Sequence, residues 1–279
     1  MKISFLGTAA AEGVPAEFCD CENCINIRAL GEKEYRTRSQ VAIDGELLID
    51  FPPESYSHSL RFGVMLSRIK YLLVTHSHMD HFYAHDFVLR GYKYANITQV
   101  PRLEIYGNGE VEKVFGECTA REMKPEVAPN IRFNKISSFS VFTAGKYKII
   151  AIPARHGNAE EALLYYVESD GKGYLHLYDT GIISDEAADF LAQNNAKADI
   201  VALDCTFGPN SGGDSARHMG IGDNMLVKDK LLSRQIIDGN AKIVITHFSH
   251  NCNPTRENLK KLEEKYGVTA AYDGYTVDV

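Results

Sequence analysis

The chain has no run of lysine or arginine, no apolar stretch long enough to span a bilayer, no low-complexity linker and no repeat visible as sequence identity. Each absence narrows the field. The 30 Lys and Arg stand against 37 Asp and Glu, for a formal net charge of −7. A protein that holds extended nucleic acid through its phosphates needs a basic run or patch, so that class is disfavoured. A small phosphorylated substrate stays open, because bound cations can supply positive charge locally. A bilayer span takes about 20 apolar residues, so no membrane partner is expected. Met1–Thr8 carries one lysine and too short an apolar stretch for a signal peptide, and reads as a first strand. The expected compartment is the cytoplasm, where the six cysteines stay reduced unless a metal holds them.

What is present is a strand-and-helix alternation with short loops and 44% hydrophobic residues. Residues 1–279 therefore read as one α/β domain. Strands are expected at 2–6, 40–43, 46–51, 71–75, 103–106, 146–152, 163–168, 174–178, 200–203, 242–246 and 269–272. Asp44-Gly45 and Asp170-Gly171-Lys172-Gly173 are hairpin turns. Helical patterns cover 109–123, 184–193, 222–232 and 255–265, with Ser184 a good cap. The two hairpin-bearing halves leave room for a duplicated layout.

His76-Ser77-His78-Met79-Asp80-His81 is the densest chemical signal, in a chain with only 10 histidines. It follows the apolar run Tyr71-Leu72-Leu73-Val74-Thr75. At a strand end His76 and His78 project to one side, since side-chain direction repeats every two residues. Asp80 and His81 then fall where the chain turns, into an expected short helix. Two histidines face one point and an Asp-His pair faces another, which suits two adjacent divalent cations. Further metal-capable side chains stand just past apolar strands: His156, Asp179 and His247. Strand ends on one rim can converge although distant in sequence.

With His-x-His-x-Asp-His, a later His, an Asp-Thr-Gly and a His after an apolar strand, the chain resembles the metallo-β-lactamase superfamily. That resemblance implies a four-layer αββα sandwich with metals at one edge. It implies a first cation on His76, His78 and His156, a second on Asp80, His81 and His247, and Asp179 as the bridge. Asp50, closing Leu47-Leu48-Ile49-Asp50, matches an aspartate that orients a ligand histidine. Phe51-Pro52-Pro53-Glu54 departs from the Asp-x-Gly ending common in the superfamily.

Cys19-Asp20-Cys21-Glu22-Asn23-Cys24 gathers three thiols in an expected loop, one ligand short of a tetrahedral zinc site. His250 and Cys252 both lie near the last motif histidine, and spacing does not choose between them. The pattern resembles the PhnP-like phosphodiesterases, which implies a structural zinc on Cys19, Cys21, Cys24 and His250. Cys118 and Cys205 read as core residues.

Phosphodiester displacement also needs a proton for the leaving oxygen. His218, in Ala216-Arg217-His218-Met219-Gly220 before a helix, is the candidate acid, with Asp80 the other catalytic residue. The expected reaction is hydrolysis of a small, cyclic or open, phosphodiester by hydroxide on two Mn or Zn ions. Alternatives are an RNA 3′-processing nuclease, a lactonase or thioesterase, and a non-catalytic carrier resembling PqqB. A homodimer is compatible with the sequence. Arg36, Arg38 and Arg155 could contact phosphate or serve structure. His58, His85 and His176 read as structural, and the aromatic, basic stretch 82–97 as an amphipathic helix packed on the sheet, with lining or covering of the pocket as the alternative.

Overall fold

Apolar alternation builds two seven-stranded sheets in a computed structural model that describes residues 1–100, 102–157, 160–213 and 216–279. The first sheet holds β1 (Lys2–Gly7), β2 (Gln40–Ile43), β3 (Leu47–Ile49), β4 (Tyr71–Leu73), β5 (Leu103–Gly107) and β6 (Ile131–Lys135). The second holds β7 (Ser140–Ala144), β8 (Tyr147–Pro153), β9 (Leu163–Ser169), β10 (Lys172–Leu177), β11 (Ile200–Asp204), β12 (Lys242–Thr246) and β13 (Thr269–Ala270). The last strand, β14 (Tyr275–Asp278), returns to pair with β1. Both sheets follow one plan. Strands β1, β2 and β3 pair antiparallel and β3 to β6 parallel, while β8, β9 and β10 pair antiparallel and β10 to β13 parallel. The hairpin turns correspond too, with left-handed Asp44-Gly45 between β2 and β3 and left-handed Asp170-Gly171 between β9 and β10.

Three apolar layers follow. Ile3, Phe5, Leu73, Ile149, Tyr165 and Tyr174 fill the space between the sheets. Outside the first sheet, Leu72 and Ile105 meet Phe82, Phe87 and Val111 of α3 (Gly109–Thr119). Outside the second, Val201 and Ile243 meet Ala188 of α4 (Asp185–Gln193), Leu231 of α5 (Ile221–Ser233) and Leu259 of α6 (Arg256–Tyr266). The result is the expected αββα sandwich. Asn108, Ser184 and Thr255 cap α3, α4 and α6 through their side-chain oxygens. Among the described residues no helix is long and apolar enough to cross a membrane.

Several local expectations change. Strands β6 and β7 are half-exposed and polar in part, so they lack the apolar run that marks the others. Two further helices appear, α1 (Glu22–Leu30) and α2 (Ser55–Phe62), and the first takes Cys24 out of the expected loop. Asp80 and His81 lie in a turn and not in a helix. The amides of His81 and Phe82 both bond to the His78 carbonyl, and the chain then pairs with Phe51 as a β-bridge. The expected helix over 82–97 is only a 3-10 turn at Ala84–Leu89, ended by the left-handed Gly91 and Tyr92.

The second sheet's plan matters to the rim because β8, β10, β11 and β12 all run toward it. Two bonds stitch the sheets there: the Tyr165 hydroxyl donates to the Val74 carbonyl at 2.7 Å, and the Leu163 amide to the Thr75 carbonyl at 2.8 Å. At the end of β1, Gly7 passes so close to the chain at Arg38 that an added Cβ would stand 1.9 Å from its carbonyl oxygen. Gly7→Ala is expected to cost about 2 kcal/mol or more, as overpacking against fixed backbone does. A lowered urea midpoint is the readout, and an unchanged midpoint would contradict it.

Candidate metal centre and active site

Each proposed ligand is carried to the rim by the end of a strand. His76 follows β4, His156 follows β8, Asp179 follows β10 and His247 follows β12. Asp50, Asp179 and His247 all take left-handed backbone, with φ of 65°, 56° and 60°. Asp and His tolerate that region better than most residues, at a cost of about 1–3 kcal/mol each. The kink turns each side chain off its strand and across the rim.

The ligand atoms converge. His76 Nε2 lies 3.0 Å from His78 Nδ1, and His156 Nε2 lies 3.3 Å from the same atom. His81 Nε2 stands 3.2 Å from Asp80 Oδ2. Asp179 joins the two groups. Its Oδ2 is 3.2 Å from His76 Nε2 and 3.0 Å from His81 Nε2, and its Oδ1 is 3.2 Å from His156 Nδ1 and 4.0 Å from His247 Nε2. Ligand atoms of His76, His78 and His156 lie within 4.8 Å of one another, as do those of Asp80, His81, Asp179 and His247. The second group is buried throughout, whereas His78 is exposed, so the first group faces solvent.

Three of these imidazoles are held through Nδ1, which assigns Nε2 as the free nitrogen. His76 Nδ1 meets the Thr75 hydroxyl at 3.0 Å, His81 Nδ1 meets Asp50 Oδ2 at 2.7 Å, and His247 Nδ1 meets the Thr206 hydroxyl at 2.9 Å. The inner atoms are left without hydrogen bonds. His81 Nε2, His156 Nδ1, Asp179 Oδ1 and His247 Nε2 are buried and, close as they stand to one another, none makes a well-directed hydrogen bond among the described residues. Four such atoms around one point would be costly unless something positive satisfies them. Divalent cations would do so, and imidazole and carboxylate donors suit them. Burial opposes a charge on His81, but Asp80 and Asp50 outweigh it and hold its pKa well above the ordinary imidazole value. A cation at the second group must therefore displace a proton.

Sequence reasoning missed three residues here. Asp204, at the end of β11, is buried and accepts from the amides of Asp179, Thr206 and Met219 at 3.0, 3.0 and 2.9 Å. Its Oδ2 lies 3.3 Å from both His247 Nδ1 and His218 Nδ1. The signal was available: Asp204 closes Ile200-Val201-Ala202-Leu203 as Asp50 closes its own apolar strand. Thr206, two residues on, fastens His247. Glu160 had no visible signal. Its carboxylate accepts from the Ser77 amide at 3.1 Å, the Ser77 hydroxyl at 2.7 Å and the Asn108 side chain at 2.9 Å. It thereby clasps the loop bearing His156 to the loop bearing His76 and His78.

His218 stands at the rim, with Nδ1 3.3 Å from Asp179 Oδ1 as well as from Asp204. Of the other candidates, Arg36 is buried, donating to the Thr8 hydroxyl and the Ala271 carbonyl, and Arg38 is paired with Glu17 and Glu54. His58 is buried between Gln40 and Thr37, and His176 is packed against Tyr174 and Tyr178. His85 is exposed beside Tyr83.

The cysteine cluster also gathers. His250 Nδ1 lies 3.2 Å from Cys24 Sγ and 3.6 Å from Cys21 Sγ, and all four candidate atoms, Cys19 included, fall within 4.8 Å. Cys252 turns away and bonds to the Ser249 carbonyl. The Cys24 amide, with His250, draws the Cys21 thiol down to about 6. A Cys3His set fits tetrahedral zinc.

Residues 49–256 match the family model described as the beta-lactamase superfamily domain. A search of curated proteins finds no match. Among solved structures, a diphosphatase from the PhnP family is similar at 22% identity and TM-score 0.73, covering 100% of this chain and 97% of that one. Zn2+-bound PqqB from Methylobacterium extorquens is similar at 19% and 0.68, covering 100% of each chain. Human tRNase Z, short form, is similar at 17% and 0.65, covering 100% of this chain and 99% of that one. At these identities the likeness bears on the fold.

Two outcomes follow for metal titrations of the chelator-stripped protein. Glu160→Ala is expected to weaken one of two Mn2+ affinities at the rim by about 10–100-fold, as loss of a ligand-orienting partner does. Equal affinities in variant and parent would remove the clasp. The affinity of the second group should rise with pH, because His81 must lose its proton. Calorimetry in buffers of different ionisation enthalpy would show that release, and a pH-independent affinity would contradict it.

Proposed function

This chain belongs to the beta-lactamase superfamily, and we propose that it is a metal-dependent hydrolase of small phosphodiesters. The observation that carries the reading is the His218–Asp204 pair at the mouth of the His/Asp cluster. Hydrolysis at carbon or at phosphorus needs an activated water. Displacement of an alkoxide from phosphorus gains further from a proton donor placed on the leaving side.

Bound at the two ligand groups, divalent cations would supply Lewis acidity toward phosphoryl oxygens and an activated water. The chain's own groups do the rest. Burial disfavours charge on Asp80, but the adjacent His81 holds it well below the usual carboxylate range, so it stays ionised and can accept a hydrogen bond from the attacking water. Burial also disfavours charge on His218, but hydrogen bonding and attraction from Asp204, with Asp179 behind, raise its pKa above the ordinary imidazole value. That shift favours the protonated imidazolium form of His218. Its Nδ1 is engaged by the carboxylates, which leaves the Nε2 proton for the leaving oxygen. Asp204 stays ionised, with a pKa lowered to about 2. Cys19, Cys21, Cys24 and His250 would hold a structural zinc, tying the N-terminal loop to the turn after His247. The net charge of −7 favours a small substrate over extended nucleic acid.

Turnover of bis(p-nitrophenyl) phosphate is expected to vanish on chelation and return with Mn2+ or Zn2+. His218→Ala should lower kcat by about 10²–10⁴ on a diester with an alkoxide leaving group, the range for loss of a general acid, and by less on the nitrophenyl ester. Activity should fall as pH rises through the raised His218 pKa, and Asp204→Asn should move that limb to lower pH. A His218→Ala variant with full activity on the alkoxide ester would remove the acid assignment.

A further inference from the structure

Between the outer face of the first sheet and the chain that follows the metal-binding turn lies a cavity of about 400 Å3. Among the described residues, none of the proposed metal ligands lines it. The cavity exists because residues 82–97 do not form a helix that would cover this face. The 3-10 turn Ala84–Leu89 and a loop stand in its place, and Leu48, Leu72 and Leu103 of β3, β4 and β5 are left lining a space. Tyr56 of α2 and Leu89 stand exposed in its wall, so it opens to solvent.

The walls are fixed. The Phe51 amide donates to the His81 carbonyl and the Tyr83 amide to the Phe51 carbonyl, both at 2.7 Å. The Phe51 ring packs on Phe87, with centroids 4.8 Å apart. Across the cavity, the Arg90 guanidinium donates to the Val100 carbonyl at 2.8 Å and to the Asn130 carbonyl at 3.3 Å. The Asn130 side chain donates back to the Arg90 carbonyl at 2.9 Å. These bonds fasten the loop between Arg90 and Val100 at both ends.

The chemistry of the wall is one-sided. Most of it is aliphatic or aromatic. Arg90 lines it, but two backbone carbonyls engage its guanidinium. Asp86 also lines it, half-buried, and its carboxylate has neither a hydrogen bond nor an ion pair among the described residues. Burial pushes that carboxyl above its ordinary value, and only the neighbouring His85 opposes the shift. A carboxylate against an apolar wall costs free energy until a cation meets it. Small-molecule sites are commonly cavities of about 300–1,000 Å3, mostly apolar, with a few placed polar groups.

We propose that this cavity is a ligand site, outside the metal centre, for a compact hydrophobic amine, with the ammonium on Asp86 and the apolar body against Leu72, Phe51 and Phe87. Apolar burial supplies affinity and the carboxylate supplies selectivity. An alcohol of the same shape forgoes the ion pair, and an acid sets two carboxylates side by side. The site does not depend on the hydrolytic chemistry at the rim, so either can fail alone.

Calorimetric titrations of Mn2+-loaded protein at pH 7 with 2-phenylethylamine, 2-phenylethanol and 3-phenylpropanoate test the site. The amine should bind about tenfold more tightly than the alcohol, the contribution of one charge-assisted hydrogen bond, and the acid should bind most weakly. Asp86→Asn should erase the amine's advantage and leave the alcohol's affinity unchanged. Ala95→Trp puts a tryptophan into the wall of a chain that has none, and should abolish binding of amine and alcohol alike. Glu264→Gln, at an exposed acid on α6 against the other sheet, should change nothing. The ranking within the parent needs no variant, so it still decides where a substitution fails to fold. A ranking led by the alcohol or the acid, no binding of the amine, or amine affinity that survives Asp86→Asn would overturn the site.

Discussion

The carboxylate of Asp179 is the interaction on which the rim depends. It is buried, left-handed in backbone, and within 4.0 Å of imidazole nitrogens from His76, His81, His156, His218 and His247. Burial alone would disfavour its charge, yet those histidines, His247 foremost, hold it well below the usual carboxylate range. One oxygen serves His76 and His81, the other His156, His218 and His247. It is the carboxylate common to both ligand groups, which the Thr75 hydroxyl also links through His76 and His81. A carboxylate in this position binds the two groups into one centre and sets where positive charge must sit.

Two further buried carboxylates support it from either side. Asp50 ends β3 and fastens His81; Asp204 ends β11 and fastens both His247 and His218. Each belongs to the parallel half of its own sheet, where neighbouring strands present their carboxyl ends together and a crevice opens between them. The repeated pairing plan puts two such strand-end sets face to face. Glu160 and the bonds from Tyr165 and Leu163 then lock one sheet's rim to the other's. Positioning is thus shared between a rigid sandwich and a small set of charged clasps.

The alternation of apolar residues was enough to find most strands and four helices, and the hairpin turns followed from Asp-Gly pairs. What escaped had a physical cause. Strands β6 and β7 are half-exposed and so carry mixed side chains. The helix expected over 82–97 yields to a bridge between Phe51 and Phe82, a tertiary pairing that no local propensity reveals. At the site, His76, His78, Asp80 and His81 are legible because one short segment holds them. Asp204 carries the same strand-end signature as Asp50 but lies among other plausible core positions. Glu160 is one acidic residue beside another, and only the loop's fold shows which of them meets Ser77.

The sequence by itself determined the chemistry: imidazoles and carboxylates just past apolar strands that must be buried, and three thiols clustered at a spacing that suits a metal. Its apolar patterning also determined an α/β domain, while the sandwich came as what the family resemblance of the metal motif implies. Only the tertiary structure decided which of His250 and Cys252 joins the cysteines and which carboxylate holds His218. Those choices are made by approaches between segments far apart along the chain, at the ends of β8, β10 and β11. Spacing along a sequence carries no information about such distances until both sheets are in place.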